Sequence, residues 1–301
     1  MQGVFCGMSS NDYHAAGGVS SSMLRNMDPP ARLPAYLAAP REVTPEMMLG
    51  TLAHHMLLEP DKPLPKIAVQ PETYPAPPDC SAVKTKKASP GDPLPWHNGA
   101  TYCKRWHAEA REAGLLVLTS DAMESLRGMV SSVSNHPWAR QILVNCDTEV
   151  SIFLDYEWNS KSVLRKARLD VVPSISVLLD IKTVEDASKD AFAWKLADGY
   201  ALQAAYYLDM WNEAIPHNQR DTFCFVVVER KPPYLVACYF MDSDDLNAGR
   251  TAYKRNLQTY MECSETKVWP GFSSKCEPIT MPNSARLKLL GSEKPNPDFL
   301  W

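Results

Sequence analysis

From Glu149 to Trp158 the chain reads EVSIFLDYEW, apolar and polar residues alternating. That is the period of a strand with one face buried. Asn159-Ser160-Lys161 supplies a turn, and Val163–Val172 and Val177–Thr183 read as two further strands joined around Pro173-Ser174. Thr222–Glu229 and Tyr234–Phe240 form another strand pair, split by Lys231-Pro232-Pro233. Between these groups Lys189–Ile215 has helical spacing with a break at Gly199-Tyr200, and Asp242–Glu262 predicts a long helix with a polar face. Upstream, helices are predicted over Ser20–Met27 with serines as candidate caps, over Thr44–Glu59 up to Pro60, over Trp96–Gly114 and over Ser120–Ser134. The proline density of Asp61–Pro95 forbids a long helix or a central strand, so this stretch is an excursion from the core. The tail from Thr266 is rich in turn formers. Helices, a strand meander, a helix and more strands predict an α/β (α+β) chain, with a central mixed sheet flanked by helices, as one domain over residues 1–301.

Composition narrows the function classes. The chain has 301 residues, 45% of them hydrophobic, enough for a substantial core, and its net charge of −4 argues against a protein that coats nucleic acid through bulk positive charge. A nuclease stays open, because the carboxylates of a metal site offset a local basic channel. The eight cysteines form no C-x-x-C pair, which disfavours zinc, an iron–sulfur cluster and a disulfide framework. They read as reduced thiols of a cytoplasmic protein. The first residues lack the charged start and apolar run of a secretory signal, and no apolar run is long enough to span a bilayer.

The chemistry concentrates in Arg168-Leu169-Asp170 and Asp180-Ile181-Lys182. Residues i and i+2 of a strand share a face, so Lys166, Arg168 and Asp170 point one way on one strand, and Asp180 and Lys182 do so on the next. Paired as a hairpin, the two strands bring both aspartates to one spot. Two adjacent carboxylates repel each other, and a hard divalent cation resolves the conflict. Lys182 would orient or deprotonate a water there and neutralise a phosphate, the equipment of phosphodiester hydrolysis. Alone, D…D-x-K is a weak signal, equally met by two solvated strands. His54 lies in an apolar helix one turn after Gly50, and is either a packed histidine or a metal ligand. The glycine would allow close approach of a neighbour. Gln203 and Tyr207 share a helical face, as an amphipathic edge or as a polar pair for a DNA backbone.

Taken in order, Gly50/His54, Asp170, Asp180/Lys182 and Gln203/Tyr207 resemble the signature of RecB-like PD-(D/E)XK nucleases. The likeness to the exonuclease VIII (RecE-type) family covers more of the chain. It includes Asn11-Asp12-Tyr13-His14, Gly50-Thr51-Leu52-Ala53-His54-His55-Met56-Leu57-Leu58-Glu59-Pro60, Asp180-Ile181-Lys182-Thr183, Gln203-Ala204-Ala205-Tyr206-Tyr207 and Tyr253-Lys254-Arg255-Asn256-Leu257. Two positions depart from the nominal pattern: Leu169 precedes Asp170 in place of proline, and Asp180 stands where many relatives have Glu. The resemblance implies a restriction-endonuclease-like core and metal ligation by His54, Asp170, Asp180 and the Ile181 carbonyl. It further implies Lys182 as the catalytic lysine, with Gln203 and Tyr207 supporting DNA at the site and Glu149 as a further acidic residue beside it. The cofactor implied is Mg²⁺, with Mn²⁺ as the alternative, two ions per site. The activity implied is processive 5′-to-3′ exonucleolysis at double-stranded DNA ends, by a homo-oligomeric ring (tetramer or trimer). This leaves 3′ overhangs for a single-strand annealing recombinase of the RecT type.

Arg168 is the candidate reader of the 5′ phosphate, since a planar guanidinium can grip it bidentately. Lys166, Ser20, Ser22 and Arg25 are further candidates, the serines being equally explained as helix caps. Lys84, Lys86 and Lys87 read as a solvated loop or as a contact to duplex phosphates. Trp194, Tyr200 and Trp211 have helical context and are expected in the core. The rival readings are a Cas4-like, helicase-linked or restriction-type nuclease, and a catalytically silent DNA-binding relative. Neither a helicase phosphate loop nor a G-x-S-x-G hydrolase motif is present.

Overall fold

The computed structural model describes residues 2–40, 43–79 and 88–290. Its strands are β1 (Gly3–Phe5), β2 (Ile67–Val69), β3 (Thr73–Pro75), β4 (Pro93–Pro95), β5 (Leu116–Leu118), β6 (Cys146–Trp158), β7 (Lys161–Pro173), β8 (Val177–Val184), β9 (Thr222–Glu229) and β10 (Val236–Phe240). Six of them form one sheet in the order β1-β6-β7-β8-β9-β10. All neighbours are antiparallel except β8 and β9, which are parallel. The mixed sheet expected from the alternation is therefore present. Asn159 and Ser160, with φ of 49° and 59°, turn β6 into β7, and such positive angles at both central residues match the twist of a tight hairpin.

The helices before the sheet are α1 (Ser10–Ala15), α2 (Ser21–Arg25), α3 (Arg32–Ala38), α4 (Pro45–Leu58), α5 (Thr101–Glu112), α6 (Ser120–Asn135) and α7 (Pro137–Ile142). Those within and after it are α8 (Lys189–Lys195), α9 (Ala201–Ala214), α10 (Ser243–Thr266) and α11 (Asn283–Leu289). Local chemistry sets the starts. Ser20, Thr44 and Thr119 cap α2, α4 and α6 by accepting the backbone N–H groups of Met23, Met47 and Ala122. Asp242 caps α10 in the same way. The predicted break at Gly199 is a π-helical turn, Leu196–Tyr200, in which Gly199 has φ 115°.

Helices cover both faces of the sheet. On one, Leu202, Tyr206 and Trp211 of α9 and Tyr253 and Leu257 of α10 pack with Ala167, Leu169, Leu178, Phe225 and Val227. On the other, Leu52 and Ala53 of α4 and Leu126 and Met129 of α6 pack on Val171, Leu179, Ile181 and Val226. Gly249 lets α10 lie against the start of α9, because a Cβ there would sit 2.2 Å from the Ala201 carbonyl oxygen. Gly249→Ala should therefore cost about 1–3 kcal/mol of stability through overpacking, read as a lower urea midpoint at unchanged slope.

Several expectations are corrected. The helix predicted from Trp96 starts at Thr101, because Pro93–Pro95 is a strand paired with Thr73–Pro75. The excursion also contributes β2, which pairs with β5 in parallel. Trp194 is not in the core: it is 77% exposed, two positions (about 200° around the helix) after the buried Phe192. Trp211 is buried as expected, and Tyr200 lies against Lys182. Lys84, Lys86 and Lys87 fall outside the described residues.

Candidate active site

The strand alternation breaks at Asp170. Leu169 packs under α9 while Val171, two residues on, packs under α4 and α6 on the opposite face of the sheet. Across β6 the pairs Thr148↔Val171 and Val150↔Leu169 flank Glu149, which takes φ 54°. A non-glycine residue held there costs about 1–3 kcal/mol, and such residues cluster at functional sites. The β7–β8 ladder consists of the single pair Val171↔Leu179, after which the strands part. The Asp170 carboxylate fills the opening and accepts the Ile181 backbone N–H at 3.0 Å.

Asp180 and Lys182 point together toward α9, as their spacing predicts. Asp180 is 1% exposed. Its Oδ1 accepts from Gln203 Nε2 at 2.7 Å, and Lys182 Nζ donates to Gln203 Oε1 at 3.3 Å. Lys182 Nζ also lies 2.6 Å from Asp180 Oδ2, a close ion pair in a buried setting. The Tyr200 ring, which sequence reasoning placed in the core, sits with its centroid 4.8 Å from the ammonium. Burial works against that charge, yet Asp180 and Asp170 outweigh burial and raise the Lys182 pKa.

On the other side of Asp170, α4 brings His54 Nδ1 to 3.5 Å from its Oδ2. Gly50, one turn earlier, is where α4 meets β8: a Cβ there would lie 3.0 Å from Thr183 Oγ1. His54, Glu149 and Asp170 offer ligand atoms that all lie within 4.8 Å of one another. Asp180 is not one of this trio, although its charge is felt at Asp170. Burial and then repulsion by Asp180 raise the Asp170 pKa well above the usual carboxylate range, against the attraction of His54 and Lys182. Glu149, the least specific of the sequence candidates, thus lies within the tightest cluster.

The basic candidates meet Asp170 in one cleft of about 420 Å³, lined by Ser20, Arg25, Lys166, Arg168, Gln203 and Tyr207 among others. Their partners were not legible in the sequence. Arg168 donates from Nε to Glu149, and from Nη1 to the Met8 carbonyl and Ser151 Oγ, both at 3.0 Å. Lys166 is buried and donates to the carbonyls of Tyr13 and Ala16. Arg25 reaches the Asp198 carbonyl and stacks on Tyr200. Ser20 Oγ lies 2.9 Å from Ser22 Oγ while capping α2. Burial holds the Tyr207 hydroxyl protonated, with its pKa well above the ordinary value, and it hydrogen-bonds with Ser21.

These donors fit a hard divalent ion. Carboxylate oxygens and one imidazole are the ligand types such ions take, and the repulsion between Asp170 and Asp180 is what a cation would relieve. The buried Asp180 carboxylate, which already holds the Lys182 ammonium, offers further oxygen beside them.

The sequence pattern of a family described as "PDDEXK-like domain of unknown function (DUF3799)" matches residues 20–282. Among solved structures, the chain is similar to one described as "Putative exonuclease" from Eubacterium rectale. The TM-score is 0.56 at 10% identity, over 94% of this chain and 97% of that one, a likeness of fold. A second structure, of SSO0001, is matched at 15% identity over 52% of this chain and 69% of that one, with a TM-score of 0.29, too low to bear on the fold. A search of curated proteins gives no match.

Proposed function

The chain belongs to the PDDEXK-like family DUF3799, and from that premise we propose that it is a divalent-metal-dependent exodeoxyribonuclease that degrades one strand of linear double-stranded DNA from 5′ to 3′. The observation that carries the hydrolytic part is the meeting of Asp170, Asp180 and Lys182 around one point of the parted β7–β8 ladder, with Gln203 bridging the last two. The exonuclease assignment draws on the resemblance to exonuclease VIII and on the description of the Eubacterium rectale protein, whose fold this chain shares.

His54, Asp170, Asp180 and the Ile181 carbonyl would hold the ions, Mg²⁺ or Mn²⁺ and two per site, with Glu149 beside them. Bound there, a divalent cation supplies activation of a water and stabilisation of the departing oxygen. The chain's own groups do the rest. Lys182, its proton held by two carboxylates, presents a positive charge to the phosphate rather than serving as a base. Gln203 fixes both the carboxylate and the ammonium in orientation. Tyr207 stays a neutral hydroxyl that donates to the DNA backbone. Arg168, Lys166, Arg25 and Ser20 give the cleft its affinity for phosphate at the strand's 5′ end. The ring assembly, tetramer or trimer, and a RecT-type annealing partner belong to the same proposal and rest on the resemblance.

The deciding experiment compares linear with circular duplex DNA, in Mg²⁺ and in EDTA. Linear DNA should be degraded to single strands from its 5′ ends only when Mg²⁺ is present. Cutting of covalently closed circles would move the chain to the endonucleases of this fold, and activity that survives EDTA would remove the metal site.

A further inference from the structure

Glu149 offers one carboxylate to two positive charges, and a dication bound to it weakens its hold on the other. Glu149 belongs to the ligand trio with His54 and Asp170, and it is the ion-pair partner of Arg168. Arg168 in turn lines the phosphate-accepting cleft. We propose that Glu149 and Arg168 form an exchangeable pair: Arg168 neutralises Glu149 while the centre holds no ion, and when Glu149 turns to an ion, Arg168 is released to a DNA phosphate. This rests on the metal-dependent nuclease reading and adds to it an order of events in which metal loading switches on the phosphate grip.

The geometry supports exchange over a fixed cross-strand ion pair. Ser151 and Arg168 are register partners on β6 and β7, so a permanent bridge could use Ser151 alone, and it already accepts from Nη1. Glu149, two residues before Ser151, holds Arg168 while taking a φ of 54°, and the same carboxylate belongs to the trio. The guanidinium has anchors that outlast the loss of Glu149: the Met8 carbonyl, Ser151 Oγ and the Tyr13 ring, whose centroid is 5.7 Å away. It would therefore keep its place in the cleft with its charge uncompensated, ready for the charge-assisted bidentate contact that Arg makes to phosphate. Coupling of this kind is reciprocal, so phosphate should also tighten the metal.

Two binding measurements test this without turnover. Titrated calorimetrically with Mg²⁺ alone, Arg168→Ala should bind the ion more tightly than wild type, and Arg168→Lys, which keeps the charge, should lie between. In EDTA, with a duplex oligonucleotide bearing 5′ phosphates as the probe, Glu149→Gln should tighten binding by about fivefold or more, within the usual range of site-to-site coupling. That gain should vanish in Glu149→Gln/Arg168→Ala, because general removal of negative charge would act with or without the arginine. Persistence of the gain in the double variant, or Mg²⁺ affinity unchanged in both Arg168 variants, overturns the exchange. If wild type binds Mg²⁺ and degrades linear DNA while either of those results is found, the exchange alone falls. If wild type binds no Mg²⁺, the nuclease reading falls first and the exchange with it.

Discussion

Under the proposed function, Asp180→Asn should lower the degradation of linear duplex DNA by about a thousandfold or more, equivalent to roughly 4 kcal/mol of lost transition-state stabilisation. The substitution is close to isosteric, and Gln203 Nε2 can still donate to the amide oxygen, so the fold around β8 should survive. What disappears is the charge. Lys182 loses the carboxylate 2.6 Å from its ammonium, and the proposed ion loses a buried carboxylate oxygen. Measured as rate of strand loss at saturating Mg²⁺, with thermal unfolding as the check on folding, the variant should be well folded and inactive. A folded variant within tenfold of wild type would show that Asp180 is only a structural acid, and the catalytic assignment of the D-x-K strand would go with it.

Asp170→Asn should have a different profile, gaining stability as the proposed function is lost. In the absence of metal, burial and the charge of Asp180 raise the Asp170 pKa above its value in the unfolded chain. A carboxyl raised in this way binds its proton more tightly when folded. Its ionisation therefore costs nothing in acid, and stability is lost progressively as pH climbs from the unfolded pKa through the folded one. Asparagine can still accept the Ile181 N–H while removing the charge. In EDTA the variant should melt higher than wild type by several degrees at about pH 8, at roughly 2–4 °C per kcal/mol, the gap closing toward about pH 5. Mg²⁺ should raise the melting temperature of wild type and leave the variant unmoved, since only a folded state that binds the ion is stabilised by it. A variant that melts lower than wild type at every pH would show that Asp170 serves as a strand clamp rather than a poised ligand.

The central sheet was readable because its signals are local. Alternation in Glu149–Trp158, the turn at Asn159-Ser160 and the proline pair at Pro232-Pro233 bound strands whose observed limits differ by a few residues. The candidate cap Ser20 placed the start of α2 within a residue, and Gly199 located the π-turn. What escaped lacks a periodic signature. β1 is three residues long, α3 carries Pro34 in its first turns, and β2 to β5 are fragments that exist only through pairing. Within the candidate site, residue spacing brought out Asp170, Gln203 and Tyr207, which line one cleft, and His54, Asp180 and Lys182, which contact Asp170 or Gln203. Spacing could not show that the strands part after Val171↔Leu179, because that depends on a local break in strand conformation at Glu149 and Asp170, within an unbroken β6–β7 register, and not on a period. Nor could it show that Arg168 is already engaged, since its partners Met8, Ser151 and Glu149 come from two other segments. Trp194 was misread because an aromatic residue in a helical stretch carries no mark of which side it faces.

The Met8 carbonyl that steadies Arg168 lies just past a strand of three residues whose hold on the sheet runs through Phe153, Ile152 and Ser151. Residues this near the start of a chain are the usual ones to trim or to fuse to a purification handle when a protein is prepared for study. Here such editing would reach an arginine of the cleft from 160 positions away in sequence, and any weakness of DNA binding in a shortened preparation would report the editing rather than the protein.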